Sequence, residues 1–549
     1  MGWSATLPRS PEKRVLIAAA AFTLMGWALQ LWRMQVLVAS MDQGILFQAL
    51  WNGFSGHPFE STLSSQLSTN VVQGGELPAI GYHRLGQHFT PTLVLWIPLV
   101  ALLGKWALPL LQVALISAAG LVLFELARTR LQPDLASWLV FAFYGANAVI
   151  GPCLGNFTDL SQLPLCVFAL LLGLERRQLW LTLLPALALP LIREDTGVVL
   201  VGIGLWLILR ERSRWPLGTA LILYGGGWVV LVTTVLMPLF SEDNSRRFMV
   251  ENFGQYLQGR NQASSMEVLA LVLRQPWMVI RELISPPGQT ISYLAGQGLP
   301  LAFIPFLSLD SWLLMGLPLL GLLMAQGSNN PLSINIRYTY LVVPGLFAGS
   351  ILWWQRHRPL FETRRFRTLW TACILLSLLF TLGGNPNRSL SWIIPDSLQP
   401  WVYRSPWRQW QHAQRAHAAI GLIPPGASVA ANTPLVPHLA SREVILRFPD
   451  DLAYLDREGH RQPVEWIAVD LDYQQRYASA FPREGKALRK TMRLLHEGLS
   501  DYSVRAVADG VVILERGGRS DPSAAKALKA VLGHAPKTMP PTRRSTGEA

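Results

Sequence analysis

Cysteine is scarce: three in 549 residues, Cys153, Cys166 and Cys373, no two of them close in sequence. That excludes a disulfide framework and the paired spacing of a structural zinc site, and leaves three small apolar packing residues. Residues 404–517, which alternate helix-like and strand-like pieces, have no glycine-rich phosphate loop, so a nucleotide site of that kind is not expected there. No small-residue cleavage pattern follows the first apolar run, which is preceded by Arg9, Lys13 and Arg14. That run reads as an uncleaved helix with its N-terminus in the cytoplasm. Acidic side chains are outnumbered, 34 Asp and Glu against 47 Lys and Arg, a net charge of +13. Such an excess can mark a nucleic-acid partner. Here the Arg clusters fall between apolar runs, the pattern of the positive-inside rule, and nucleic acid is not expected.

Apolar sequence is what the chain has in quantity. Half of the residues are hydrophobic, and the mean hydropathy is +0.28. Runs near the roughly 20 residues that a spanning helix needs recur from Val15 to Gly383, so the fold class is mainly α and polytopic. The first span covers about Val15 to Val38. Residues 88–103 and 106–127 are both apolar, and they decide the topology. If both crossed, Arg128, Arg130, Arg176, Arg177 and the RERSR run at 210–214 would lie outside. Short loops rich in Lys and Arg stay inside. Residues 88–103 are therefore expected to form a short juxtamembrane or re-entrant helix. The remaining runs then alternate: 106–127, 134–151, 160–175, 179–192, 196–210, 217–240, 290–307, 311–326, 338–354 and 368–383. That makes about eleven spans.

The stretch from Ser40 to Pro91 is too polar to cross and falls on the outer side. Within it Ile45, Leu46, Ala49, Leu50 and Phe54 recur at three- and four-residue spacing, with Gln43, Gln48 and Asn52 between them. This predicts an amphipathic helix on the membrane surface. The expected division is a transmembrane domain at 1–384, a Pro- and Trp-rich linker at 385–403, a small extracytoplasmic α/β domain at 404–517 and a disordered tail at 518–549. In the α/β domain RQWQHAQRAHAAIGL is helical, ASVAA, EVIL and VEWIAVD are strands, and Asp509-Gly510 marks a hairpin.

On this topology the ionisable residues at the outer ends of spans are selective. They are Asp42, His88, Asp159, Arg193, Glu194, Asp195 and Arg337. A charge at membrane depth costs roughly 2.5–3.5 kcal/mol at a helix centre unless it is paired or lines an aqueous cavity. Such a group has chemical uses. A carboxylate takes a proton from an attacking hydroxyl, Arg holds a phosphate bidentately, and Asp42, Asp159 and Asp195 together could hold a divalent ion such as Mg or Mn. Structural roles stay open beside these. Asp42 and Asp159 could cap helices, His88 could be an interfacial group before Thr90-Pro91, Glu194 and Asp195 could simply pair with Arg193, and Arg337 could snorkel.

The segments DQGILFQALWN, LGQHFTPTLVLWIPLVALL, NFTDLSQLPL, REDTG and SVAANTPLVPHLASREVILRFP resemble, in this order, a bacterial and archaeal family of predicted membrane proteins of unknown function (the DUF2079 type). Its layout is similar to that of the GT-C membrane glycosyltransferases. The resemblance implies a catalytic acidic residue in the first outer loop, at Asp42, juxtamembrane helices in that loop and a polyprenyl-phosphate sugar as donor. His88-Phe89-Thr90-Pro91 resembles the His-Pro-Pro-like start of the second juxtamembrane helix loosely. Arg337 stands where the family tends to have His, which suits phosphate binding better than proton transfer. The expected activity is transfer of a sugar to a saccharide, lipid or protein acceptor on the extracytoplasmic face of the plasma membrane. His88, Asp159, Arg193, Glu194, Asp195 and Arg337 would bind substrate. A transporter or flippase of lipid-linked saccharides is the alternative.

Overall fold

The computed structural model describes residues 10–257, 259–325, 332–497 and 499–533. Arg9, the end of the 311–326 run and the tail beyond 533 lie outside them. The chain divides into two compact units, one of His83–Ser389 with the residues up to Trp32, the other of Arg33–Tyr82 with the residues from Leu390 onward. This differs from the division expected at 384 and 404, because residues 33–82 join the C-terminal domain. Helix Pro522–Gly533 also lies in the stretch expected to be a disordered tail.

The first unit is a bundle of apolar helices. Among the described residues, four helical stretches are long and apolar enough to cross a membrane: Pro11–Gln35, Pro91–Arg128, Arg212–Leu239 and Arg364–Gly383. The bent pair Pro133–Tyr144 and Asn147–Cys153 raises the count to five. The expected eleven are therefore corrected to four or five, and the reason is length. Leu163–Arg176, Leu179–Ile192 and Gly197–Arg210 have 14 residues each. At 1.5 Å per residue each covers ~21 Å, short of a hydrocarbon core of ~30 Å. Val343–Arg356 is apolar and buried nearly all round, as a helix enclosed by neighbours should be. Before helix Ala107–Arg128 the chain turns at Gly104, whose φ of +55° suits glycine. The preceding helix, Ile97–Leu103, has seven residues and cannot span alone.

Glycines let these helices touch backbone to backbone. A Cβ on Gly204 would lie 2.5 Å from Gly218 O, and one on Gly197 would lie 2.5 Å from Gly225 O. The helices Gly197–Arg210 and Trp215–Leu231 therefore meet along two glycine pairs. Gly345 and Gly349, spaced GxxxG, press in the same way on Met315 and Ser311 of helix Leu309–Met324. Small residues at such contacts are how helices associate where no hydrophobic driving force separates them from lipid.

Charge sorts the bundle end to end. At one end Arg130 pairs with Glu175 at 2.7 Å and Glu211 at 3.3 Å, and Arg176 pairs with Glu125. Asp310, 1% exposed, receives Arg210 at 2.9 Å and Arg356 at 3.0 Å. Arg14 pairs with Asp134. The other ends of the same helices carry the residues of the candidate site.

The second unit holds a five-stranded sheet, β1 Val429–Ala431, β2 Ile445–Arg447, β3 Trp466–Asp470, β4 Tyr502–Ala508 and β5 Val511–Arg516, in the order β2-β1-β3-β5-β4. β1 runs parallel to β2 and β3, while β5 is antiparallel to β3 and β4. The β4–β5 turn is Asp509-Gly510, with φ of +50° and +83°, as its sequence predicts. Helix Pro406–Ile420 also forms where expected.

Helix Met41–Trp51 corrects the amphipathic reading. It is buried on both faces, inside this unit. Gln48 donates to Thr62 Oγ1 at 3.0 Å and Glu443 O at 2.9 Å and accepts from Ser61 Oγ at 2.8 Å. Thr62 Oγ1 donates to Ile445 O at 2.7 Å and accepts from Ile445 N at 3.1 Å. One turn later Gln66 accepts from Arg447 N at 2.5 Å. Side chains from 62–66 thus stand in for a neighbouring strand along the open edge of β2, which would otherwise be a template for pairing.

His412, on helix Pro406–Ile420, ties that helix to the sheet. Nε2 lies 2.9 Å from an oxygen of Asp470 at the end of β3, and Nδ1 lies 3.0 Å from one of Asp509 in the turn. Asp472, Arg404, Arg415 and Arg476 complete this charged network. Burial would lower the imidazole pKa, but the bond to Asp470, the charges of Asp470 and Asp472 and the bond to Asp509 outweigh it, and the pKa is raised.

Two outcomes are expected. In detergent-solubilised protein Gly204→Ala lowers thermal stability by about 1–3 kcal/mol, because Gly218 backbone cannot give way cheaply. Gly227→Ala, with open space around it, is neutral or gains up to ~1 kcal/mol. For His412 the folded pKa lies above the unfolded value of ~6.5, so its stabilisation is complete below that pH and is lost as pH rises through the folded pKa. The stability gap between the parent and His412→Gln, followed by thermal unfolding from pH 5 to 9, should therefore close toward high pH.

Candidate functional site

The site is built on the turn Arg193-Glu194-Asp195-Thr196, between helices Leu179–Ile192 and Gly197–Arg210. Thr196 Oγ1 lies 2.5 Å from Leu189 O and 2.7 Å from Arg193 O, engaging carbonyls that the ending helix leaves open. Arg193 is extended there, with φ −161° and ψ 157°. The residue is 2% exposed. Nε donates to Asp195 Oδ1 at 2.8 Å and Nη2 to Asp195 Oδ2 at 2.5 Å, a bidentate fork.

Asp159 comes from the other side, in the 3-10 turn that leads into helix Leu163–Arg176. It is 7% exposed. Oδ1 accepts from Thr158 Oγ1 at 3.0 Å. Oδ2 accepts no hydrogen bond among the described residues, and Arg193 Nε stands 3.9 Å from it. Tyr338, at the start of the segment leading to Val343–Arg356, presents its ring to two cations. Arg193 Cζ is 5.3 Å and Arg337 Cζ 5.2 Å from the ring centroid, within cation–π range.

Glu194 turns toward His88. One carboxylate oxygen lies 2.8 Å from His88 Nδ1, and the other accepts from Phe89 N at 2.9 Å. A carboxylate so placed orients an imidazole and leaves its second nitrogen for proton transfer. Phe248 packs on the His88 ring at 5.3 Å.

Six of the seven residues singled out by sequence, His88, Asp159, Arg193, Glu194, Asp195 and Arg337, are brought together at one end of the first unit. Asp42 is not among them. It is an exposed residue in the first turn of helix Met41–Trp51, in the second unit. Tyr338 was passed over in the sequence, although its place in the RYTY segment beside Arg337 was a usable signal. Phe248 carried none.

The residues do not fit the metal site expected of Asp42, Asp159 and Asp195. Asp159 and Asp195 both face Arg193, whose guanidinium takes the place a cation would occupy. Among the described residues the groups close enough to share an ion lie elsewhere, at His412, Asp470 and Asp472 and at Asp456, Glu458 and His460. In the first of these Asp472 is already held by Arg404 at 2.8 Å and Arg476 at 2.7 Å.

No curated protein matches the chain. A family model described as a predicted membrane protein of the DUF2079 type matches residues 31–513, a match that takes in both units, so the chain belongs to that family of membrane proteins.

Proposed function

We propose that the protein is a membrane glycosyltransferase that uses a polyprenyl-phosphate sugar and works on the extracytoplasmic face. One observation carries this reading: a buried Arg193 with Arg337 beside it over one aromatic ring, next to a carboxylate oxygen on Asp159 that accepts no hydrogen bond. Two guanidinium groups suit a lipid phosphate, and a buried acceptor suits a sugar hydroxyl. The gathering of Arg pairs at the opposite end of the bundle supports placing this end outside.

In the reaction the bond from the anomeric carbon to the phosphate oxygen breaks and a bond to the acceptor oxygen forms. The acceptor's proton passes to His88, held by Glu194. The leaving polyprenyl phosphate keeps the electron pair, and its charge is met by Arg337 and Arg193. Asp159 orients the sugar. No step is drawn through a metal. The general base implied at Asp42 by the GT-C resemblance is tested separately, because the chemistry above is built from the first unit alone.

The experiment is transfer from labelled polyprenyl-phosphate sugars by the reconstituted full chain. Glu194→Gln and His88→Gln are expected to lower transfer by about 10²–10⁴-fold, with Arg337→Ala weakening donor binding. Asp42→Asn at full activity would remove that residue as base, and Glu194→Gln at full activity would remove the dyad. Movement of a lipid-linked saccharide across the vesicle without any bond formed would replace the transferase with a flippase.

A further inference from the structure

Residues 241–288 are the polar stretch between the apolar runs 217–240 and 290–307, yet part of this segment shows apolar side chains outward. Helix Ser265–Arg274 opens with a capping box, Glu267 N on Ser264 Oγ at 3.2 Å and Ser264 N on Glu267 Oε2 at 2.8 Å. After a break at Gln275, helix Pro276–Glu282 follows. One face points inward: Val268, Leu271 and Val272 pack with Met249, Val250 and Phe253. The opposite face carries Leu269, Leu273, Trp277, Ile280 and Ile284, all exposed, Trp277 at 81%. Leu269 and Leu273 on the first helix, and Trp277 and Ile280 on the second, have the four- and three-residue spacing that shares a helix face, so each helix carries an outward apolar stripe, and Ile284 follows just past the second.

We propose that residues 265–284 lie in the plane of the membrane interface, with this stripe immersed in lipid. A segment apolar on both faces needs a cover on each, and among the described residues protein covers only the inner one. Lipid fits the outer face for three reasons. Trp277 is the side chain favoured at headgroup level. Arg274 and Arg281 are exposed beside the stripe and can reach anionic headgroups while their stems stay on apolar surface. The span that precedes this segment in the chain, Arg212–Leu239, is itself long and apolar enough to cross a membrane, and Leu239 at its end and Phe240 after it are exposed. An in-plane helix of this kind sinks roughly 5–10 Å into the headgroup and acyl boundary. Its inner face rests on Met249, next in sequence to Phe248, which packs on His88. A bilayer contact is thereby placed beside the candidate site. The proposal does not depend on what reaction that site performs.

The test is collision accessibility of nitroxides on the full chain in vesicles of phosphatidylethanolamine and phosphatidylglycerol, with Cys153, Cys166 and Cys373 replaced by Ala. Labels at Leu269→Cys, Leu273→Cys, Trp277→Cys and Ile280→Cys should meet oxygen severalfold more often than a water-soluble nickel complex. Labels at Glu267→Cys and Arg281→Cys should show the reverse. Water-like accessibility along the stripe would overturn the proposal. So would low accessibility to both colliders, which would mean that protein covers this face. Fluorescence size-exclusion of each variant confirms that the fold is kept.

Discussion

The buried guanidinium of Arg193 is the constraint on which the first unit's site depends. Taking such a charge out of water costs several kcal/mol even after relaxation, and only well-placed carboxylates return it. Asp195 does so through a two-pronged bond, and that geometry fixes the turn. With Arg193 and Asp195 facing each other across the turn, Glu194 between them is directed to His88, 106 residues earlier in the chain. Asp159 and Tyr338 then pack around the same cation from helices remote in sequence. One ionic pair therefore sets the positions of two acidic side chains, an imidazole and an aromatic ring.

Much of this constellation was legible in the sequence. Charged residues at the ends of apolar runs are costly, so those that stand there stand out, and six of seven converge. Their pairings were not legible, because a hydrogen bond between Glu194 and His88 depends on which helix ends meet. Tyr338 carries no charge, so a search for charged groups at membrane depth passes it by. The proposed ion was misjudged because Asp159 and Asp195 were counted without the cation between them.

Local signals in the fold read well and global ones less so. Asp509-Gly510 makes its hairpin because the two residues tolerate positive φ, and helix Pro406–Ile420 ends at Gly421, a few residues before Pro424-Pro425-Gly426. The span count failed because apolar composition says that a helix is enclosed, not by what. Val343–Arg356 is enclosed by protein. Helix Met41–Trp51 shows the converse error. Its Gln43 and Gln48 have the spacing of a wet face, but a polar face can also be satisfied by protein, and Gln48 bonds to Thr62 and Glu443.

The edge of β2 carries a consequence for biosynthesis. Its covering side chains, Thr62 and Gln66, leave the ribosome long before Ile445 and Arg447, with all of the helical bundle except its first helix translated in between. At ~5–20 residues per second the wait is on the order of 20–80 s. Through that interval a stretch rich in serine, threonine and glutamine has no strand to bond. Its polarity then keeps a nascent chain hydrated until the strand emerges, with about four-fifths of the polypeptide already made, to receive it.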